Sequence, residues 1–266
     1  MLVVGEKINT SRKEAKEAVK NEDAAFIRQL ARRQYEAGAH YIDVNCGTFV
    51  DDEPRLLSWL VKEVQGELNM PVCIDSPNPE AVEAALKVHE GQAMLNSISG
   101  EKERYEALEP LILEYGCKIV VLCMDDQVGI PQDAASRVKI ATRLIEGLAD
   151  KGVKHEDIYV DPLIQPISVD TKNGLSATET IQQVKEKFPE AHAICGLSNI
   201  SFGLPQRKIL NQAYMVLCAA AGLDAVILDP EDKKMMALLH SALALLNRDP
   251  YCSNYLKAYR KGILQY

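Results

Sequence analysis

The chain has 266 residues, 47% hydrophobic and 26% charged, with 38 acidic against 30 basic side chains and a formal net charge of −8. This balance suits a single folded domain over residues 1–266 and excludes a disordered or low-complexity chain. With no block of Lys and Arg interleaved with aromatics, no nucleic-acid partner is expected.

The N-terminus, Met1-Leu2-Val3-Val4-Gly5-Glu6-Lys7, shows no targeting pattern. The long uncharged, mostly apolar run Ile209 to Leu223 contains Asn211 and Gln212 and is too short to span a membrane, so a cytoplasmic protein is expected. Seven cysteines occur without a Cys-x-x-Cys pair, and Cys73, Cys117, Cys123, Cys195 and Cys218 fall inside apolar runs, as small buried hydrophobes do in a reducing compartment. The five histidines show neither His-x-His nor His-Glu-x-x-His spacing, so no metal site is expected.

In chain order, short β-branched runs alternate with longer segments of helical period. Leu2 to Ile8 precedes Ala24 to Ala37, Tyr41 to Val44 precedes Glu53 to Leu68, and Val72 to Ile74 precedes Pro79 to His89. Ala93 to Leu95 precedes Arg104 to Tyr115, Ile119 to Met124 precedes Ala135 to Ala149, and Ile158 to Val160 precedes Ala177 to Phe188. Ala193 to Leu197 precedes Pro205 to Ala221, and Ala225 to Leu228 precedes Asp232 to Leu246. Gly38, Gly116, Gly152 and Gly222 stand where helices must turn into the next strand, and Pro54, Pro79 and Pro205 stand near helix starts. Eight such units are the pattern of parallel βαβ connections. Their even spacing, without a Gly-rich phosphate loop, favours an α/β fold closed into a (β/α)8 TIM barrel over an open doubly wound sheet.

Barrel enzymes carry their chemistry at the C-terminal strand ends. All eight predicted ends hold Asp or Asn: Asn9, Asp43 with Asn45, Asp75, Asn96, Asp125, Asp161, Asn199 and Asp229. Turns recruit these residues too, but a full set also describes a mouth of carboxylates and amides. Such a mouth suits a flat heterocycle with several N–H donors and carbonyl acceptors, a pterin or a purine, and suits a phosphate badly.

Six segments, one per strand in order, resemble the pterin-binding barrels and, within them, the methyltetrahydrofolate:corrinoid protein methyltransferases. They are Gly5-Glu6-Lys7-Ile8-Asn9, Gly38 to Asn45, Cys73-Ile74-Asp75-Ser76, Leu95 to Glu101, Val160-Asp161-Pro162-Leu163 and Gly196 to Pro205. The resemblance implies that Asp75, Asn96 and Asp161 frame the pterin's pyrimidine edge and that Asn199 sits beside the nitrogen carrying the methyl group. It places Gly196 and Ser198 at the same strand end, Arg207 near the pterin or the anionic side of the folate, and Glu6 and Asn9 deeper in the mouth. Phe202 departs from the polar residue of some members. The implied substrates are tetrahydrofolate or methyltetrahydrofolate, the implied partner is a corrinoid protein carrying cobalamin, and the implied assembly is a homodimer joined through barrel helices. Dihydropteroate synthases share this frame but place basic residues on the last two strand ends, which here read Ser198-Asn199 and Asp229-Pro230. A synthase-like enzyme and a non-catalytic folate-binding subunit remain the alternatives.

Overall fold

The computed structural model describes residues 1–264. Its strands are β1 (Leu2–Asn9), β2 (Tyr41–Asn45), β3 (Val72–Asp75), β4 (Met94–Gly100), β5 (Lys118–Asp125), β6 (Ile158–Asp161), β7 (His192–Gly196) and β8 (Ala225–Leu228). They pair in parallel in chain order and close into a barrel where β8 meets β1, Leu2 against Ala225 and Gly5 against Leu228. The helices are α1 (Lys13–Lys20), α2 (Ala24–Glu36), α3 (Glu53–Leu68), α4 (Pro79–Leu86), α5 (Lys102–Tyr115), α6 (Ala134–Ala149), α7 (Asn173–Lys187), α8 (Arg207–Ala220), α9 (Lys233–Leu245) and α10 (Ser253–Arg260).

The helices form where apolar positions recur on one face and a cap stands at the start. Asp23, Asn78, Asp133 and Asp232 each accept a backbone N–H of the first turn of α2, α4, α6 and α9. At their far ends α2 and α8 run into Gly38 (φ 110°) and Gly222 (φ 108°), a backbone conformation that a side chain would strain, just before β2 and β8. The buried helix faces pack on the outward strand residues in a shell that includes Ile42, Ile74, Leu95 and Ile119. Each such fully buried aliphatic side chain stabilises the fold by about 1.5–3 kcal/mol.

Inside the barrel a separate cluster of Val4, Tyr41, Cys73, Met94, Val120, Tyr159, Ile194 and Ala225, with Leu122 and Ile227 against it, plugs the lower part. At the bottom Tyr159 stacks on His192, and Lys118 lies over Tyr159 while pairing with Asp157. This end is closed by packing, so any ligand must enter from the other.

Four expectations need correction. The fourth strand continues through the polar Asn96-Ser97-Ile98-Ser99 to Gly100, so Asn96 lies within it and not beyond its end. The seventh strand stops at Gly196, and Leu197–Ser201 forms a 3-10 turn that carries Asn199 past the strand. α7 begins at Asn173, four residues before Ala177, because the buried Asn173 donates to Pro166 O and Ser176 is buried beside it. Helices α1 and α10 were not anticipated: both are short and mostly polar, and each buries only a few small side chains.

Candidate active site

Side-chain parity decides which strand-end groups reach the barrel axis, because alternate residues of a strand point to opposite faces. Stepping by two from the plug residues Tyr41, Cys73, Met94 and Tyr159 brings Asp43 and Asn45, Asp75, Asn96, and Asp161 to the inner face above them. Asp75 and Asn96 are register partners, and Asn45 Nδ2 donates to Asp75 Oδ2 at 3.1 Å. Ser76, one residue on, turns away from the axis and donates to the buried Glu53 at 2.7 Å. Asp161 Oδ1 accepts the Leu163 N–H at 2.7 Å in a tight turn that holds Leu163 at φ 57°.

Burial dominates the acidity of this layer. It pushes Asp75 up to about 6, against the opposing effects of the Asn45 hydrogen bond and the nearby Arg104 guanidinium. It pushes Asp161 up to about 6 as well, although the Leu163 and Gly196 N–H groups and the Arg137 guanidinium favour its charged form. Glu6 of β1 is raised by burial despite the Arg12 guanidinium 2.6 Å away. The layer is therefore a set of under-solvated acceptors, a state that a ligand rich in N–H donors would relieve.

Of the residues singled out in the sequence, Asp75, Asn96 and Asp161 come together on this inner face. Gly196 ends β7 on the same side, where a Cβ would lie 3.7 Å from Asn199 Nδ2, an ordinary van der Waals contact. Ser198 and Asn199 ride the 3-10 turn, with Asn199 exposed at the lip. Arg207 stands beside the same turn, near enough to Glu6 to favour its charged form. At the exposed start of α8 it donates to Ser198 O at 2.7 Å and to Ser201 Oγ at 3.1 Å, over the Phe202 ring, so that it braces the turn bearing Asn199. Glu6 shares the inward parity of the plug residue Val4 and faces Asp43, whereas Asn9 is the register partner of Asn45 and its side-chain Oδ1 accepts the Ser11 N–H.

Not every strand-end acid belongs to the mouth. Asp125 turns outward, where it accepts the Gln127 and Val128 N–H groups and pairs with Arg143. Asp229, by contrast, follows the inward parity of Ala225 and Ile227 and shares a cavity with Glu6, where it lies 3.5 Å from Lys7 and accepts the Glu231 N–H. Conversely, Asp43 and Asn45 were noted only as strand-end residues and left out of the frame. Their spacing of two, matching the strand period, was the signal that both face inward. Arg104, which donates to Ser97 O and Oγ behind Asp75, carried no sequence signal.

A profile of pterin binding enzymes matches residues 5–229. The methylcorrinoid:tetrahydrofolate methyltransferase of Eubacterium limosum is 36% identical across 98% of this chain and 97% of its own length. Methionine synthase of Mycobacterium tuberculosis is 29% identical over 90% of the chain, which spans 22% of that longer protein. Dihydropteroate synthase structures from Thermus thermophilus and Xanthomonas albilineans superpose with TM-scores of 0.66 and 0.69 at 22% and 18% identity. The first covers 89% of this chain and 91% of its own, the second 90% of each, and they share the fold. With the barrel, the inward acid–amide layer and an end-to-end relative in agreement, the chain is an enzyme of the pterin-binding family, grouped with the methyltransferase it resembles over its whole length.

Proposed function

We propose that this chain binds a reduced folate in the barrel mouth and moves its methyl group to or from a corrinoid carried by a partner protein. The observation that carries this reading is the inner-face layer of Asp75, Asn96 and Asp161 above a sealed apolar plug, with Asn199 exposed at the lip. Two carboxylates and an amide match the donors of a 2-amino pyrimidinone edge, and a mispaired ligand would leave buried polar groups unmatched. The corrinoid supplies the cobalt that carries the methyl group, and the open lip lets it approach.

The chain's own contribution is orientation and differential stabilisation. A methyl on a tertiary ring amine leaves poorly because the departing nitrogen becomes strongly basic. A hydrogen bond from the Asn199 amide that strengthens as the bond breaks lowers that barrier. The relative's name makes the methylcorrinoid the donor and tetrahydrofolate the acceptor. The same residues serve either direction by microscopic reversibility.

Dihydropteroate synthase chemistry is disfavoured by the charges around β1, β7 and β8. Lys7 is paired with Asp229 and Glu231, Arg12 with Glu6, and Lys208 with Asp232, which leaves little to hold a diphosphate. Equilibrium titration separates the readings. Submicromolar to micromolar binding of 5-methyltetrahydrofolate without phosphate supports ours, whereas selective binding of a pterin diphosphate would favour a synthase.

We further propose a cytoplasmic homodimer that leaves the mouth free. Exposed Leu175, Ile209 and Leu217 flank an apolar groove of about 510 Å³ that runs between α7 and α8 on the outside of the barrel. No helix among the described residues is long and apolar enough to cross a membrane, and all seven cysteines are free. Sedimentation at monomer mass across micromolar concentrations would remove the dimer.

A further inference from the structure

Asp43 is the most enclosed acid on the barrel axis. It is 3% exposed, and its Oδ1 has no hydrogen-bond partner among the described residues. Its Cα pairs in register with Cys73, one step below Asp75, so it forms the floor on which the ring-binding layer rests. Its polar neighbours come from three strands: Glu6 of β1, the Cys73 thiol and Asp75 of β3, and the Asn96 amide of β4. No cation is among them. Arg12 is spent on Glu6, and Arg104 reaches Ser97 and the Asp75 side of the layer.

An ionised carboxylate in that place would be desolvated, unpaired and next to a second acid, so the neutral form is favoured. A neutral carboxyl differs in kind from a carboxylate because it can donate. If its O–H is given to the Asn96 carbonyl, the Asn96 NH2 is left facing the ligand. If Asp43 ionises, the amide is drawn round to donate downward and shows its carbonyl instead.

Resting on the folate reading above, we propose that Asp43 is a positioning residue of the pterin site: a neutral acid beneath Asp75 and Asn96 that sets which edge of the Asn96 amide meets the ring and lets Asp75 carry the negative charge. Burial first, and then the Asp75 charge, raise its pKa well above the ordinary carboxylate value in the free enzyme, against hydrogen bonds from Cys73 and Asn96, and the two acids titrate as a pair. The proton on Asp43 is thus part of the binding-competent state, and ligand binding takes up a proton wherever the free enzyme has lost it.

The test is calorimetric titration of the intact chain with 5-methyltetrahydrofolate from about pH 6 to about pH 9, in two buffers of different ionisation enthalpy, so that proton uptake is counted. The wild type is expected to lose about tenfold or more in affinity toward the alkaline end, with uptake rising toward one proton. Asp43→Asn, neutral and of the same shape, is expected to bind within about threefold of wild type at the acid end, with a flat profile and no uptake. A merely structural Asp43 would leave the alkaline limb in the variant. A wild-type profile that is flat, with no uptake at any pH, overturns the inference even if the variant does not fold. So does a variant that binds weakly at the acid end and keeps the limb. Absence of 5-methyltetrahydrofolate binding by the wild type would remove the folate reading and this inference together, whereas binding with a flat profile removes this inference alone.

Discussion

The ends of β5 and β6 each carry an aspartate, on neighbouring strands of one barrel, and the two do opposite work. Asp125 faces outward. Burial alone would raise its pKa, but the Val128 and Gln127 N–H groups and the Arg143 guanidinium outweigh it and hold the pKa below its ordinary value. Asp161 faces the axis with fewer partners, and burial pushes it up to about 6. The charged form of Asp125 therefore stabilises the native chain, whereas that of Asp161 destabilises it until a ligand supplies donors. The same residue type at the same kind of position is a structural brace in one case and a binding group in the other. Parity and available partners decide which.

The mouth side of this contrast should fail catalytically before it fails structurally. Asn199→Ala is expected to lower single-turnover methyl transfer at saturating methyltetrahydrofolate by about a hundredfold or more, while affinity falls much less. A saturated rate near wild type would remove Asn199 from the mechanism. Next in size, Asp161→Ala or Asp75→Ala should weaken folate binding by about 1.5–3 kcal/mol with the fold retained. Asp125→Ala should do the reverse, holding affinity within about twofold but costing about 1–3 kcal/mol in urea unfolding. Equal losses of affinity at positions 125 and 161 would erase the distinction.

Stability against pH sharpens the same comparison. Because the folded Asp161 carboxyl titrates near 6, above its unfolded value of 3.8, the native state holds the proton more tightly. Stability from this group is highest at low pH, falls as pH rises through the window from 3.8 to about 6, and stays low above it. Asp161→Asn has no such penalty. It should unfold at a higher denaturant concentration than wild type at neutral pH, by up to about 3 kcal/mol, with the advantage gone below about pH 4. An advantage that did not change with pH would show that the acid is not strained in the free enzyme. The smallest effect belongs to Arg207→Ala. Loss of its bonds to Ser198 O and Ser201 should loosen the turn under Asn199 and slow transfer about fivefold, with little change in affinity.

The eightfold alternation was legible because buried strands and amphipathic helices differ in period and because Gly and Asp mark their junctions. Asp75, Asn96 and Asp161 were legible by their order along the chain. The orientation of Asp125 was not. An apolar run such as Ile119 to Met124 is buried on both faces, so nothing in it says which parity points inward, and Lys118 at the strand's start fixes that only once the barrel is closed. The length of β4 was hidden for a related reason. Its upper half, Asn96 to Gly100, is polar because it lines the site, and polarity reads as loop. Arg207 and Arg104 act through backbone carbonyls several residues away, contacts that no local pattern announces.

The most direct measurement is transfer of a methyl group between free methylcobalamin and tetrahydrofolate on the isolated chain, followed by the cobalamin absorbance change. The acid–amide mouth and open lip predict enzyme-dependent formation of 5-methyltetrahydrofolate that saturates with tetrahydrofolate, runs in reverse with reduced cobalamin, and collapses in Asn199→Ala. Tight folate binding with no transfer in either direction, even with high cobalamin, would contradict it and leave a folate-binding protein without this chemistry.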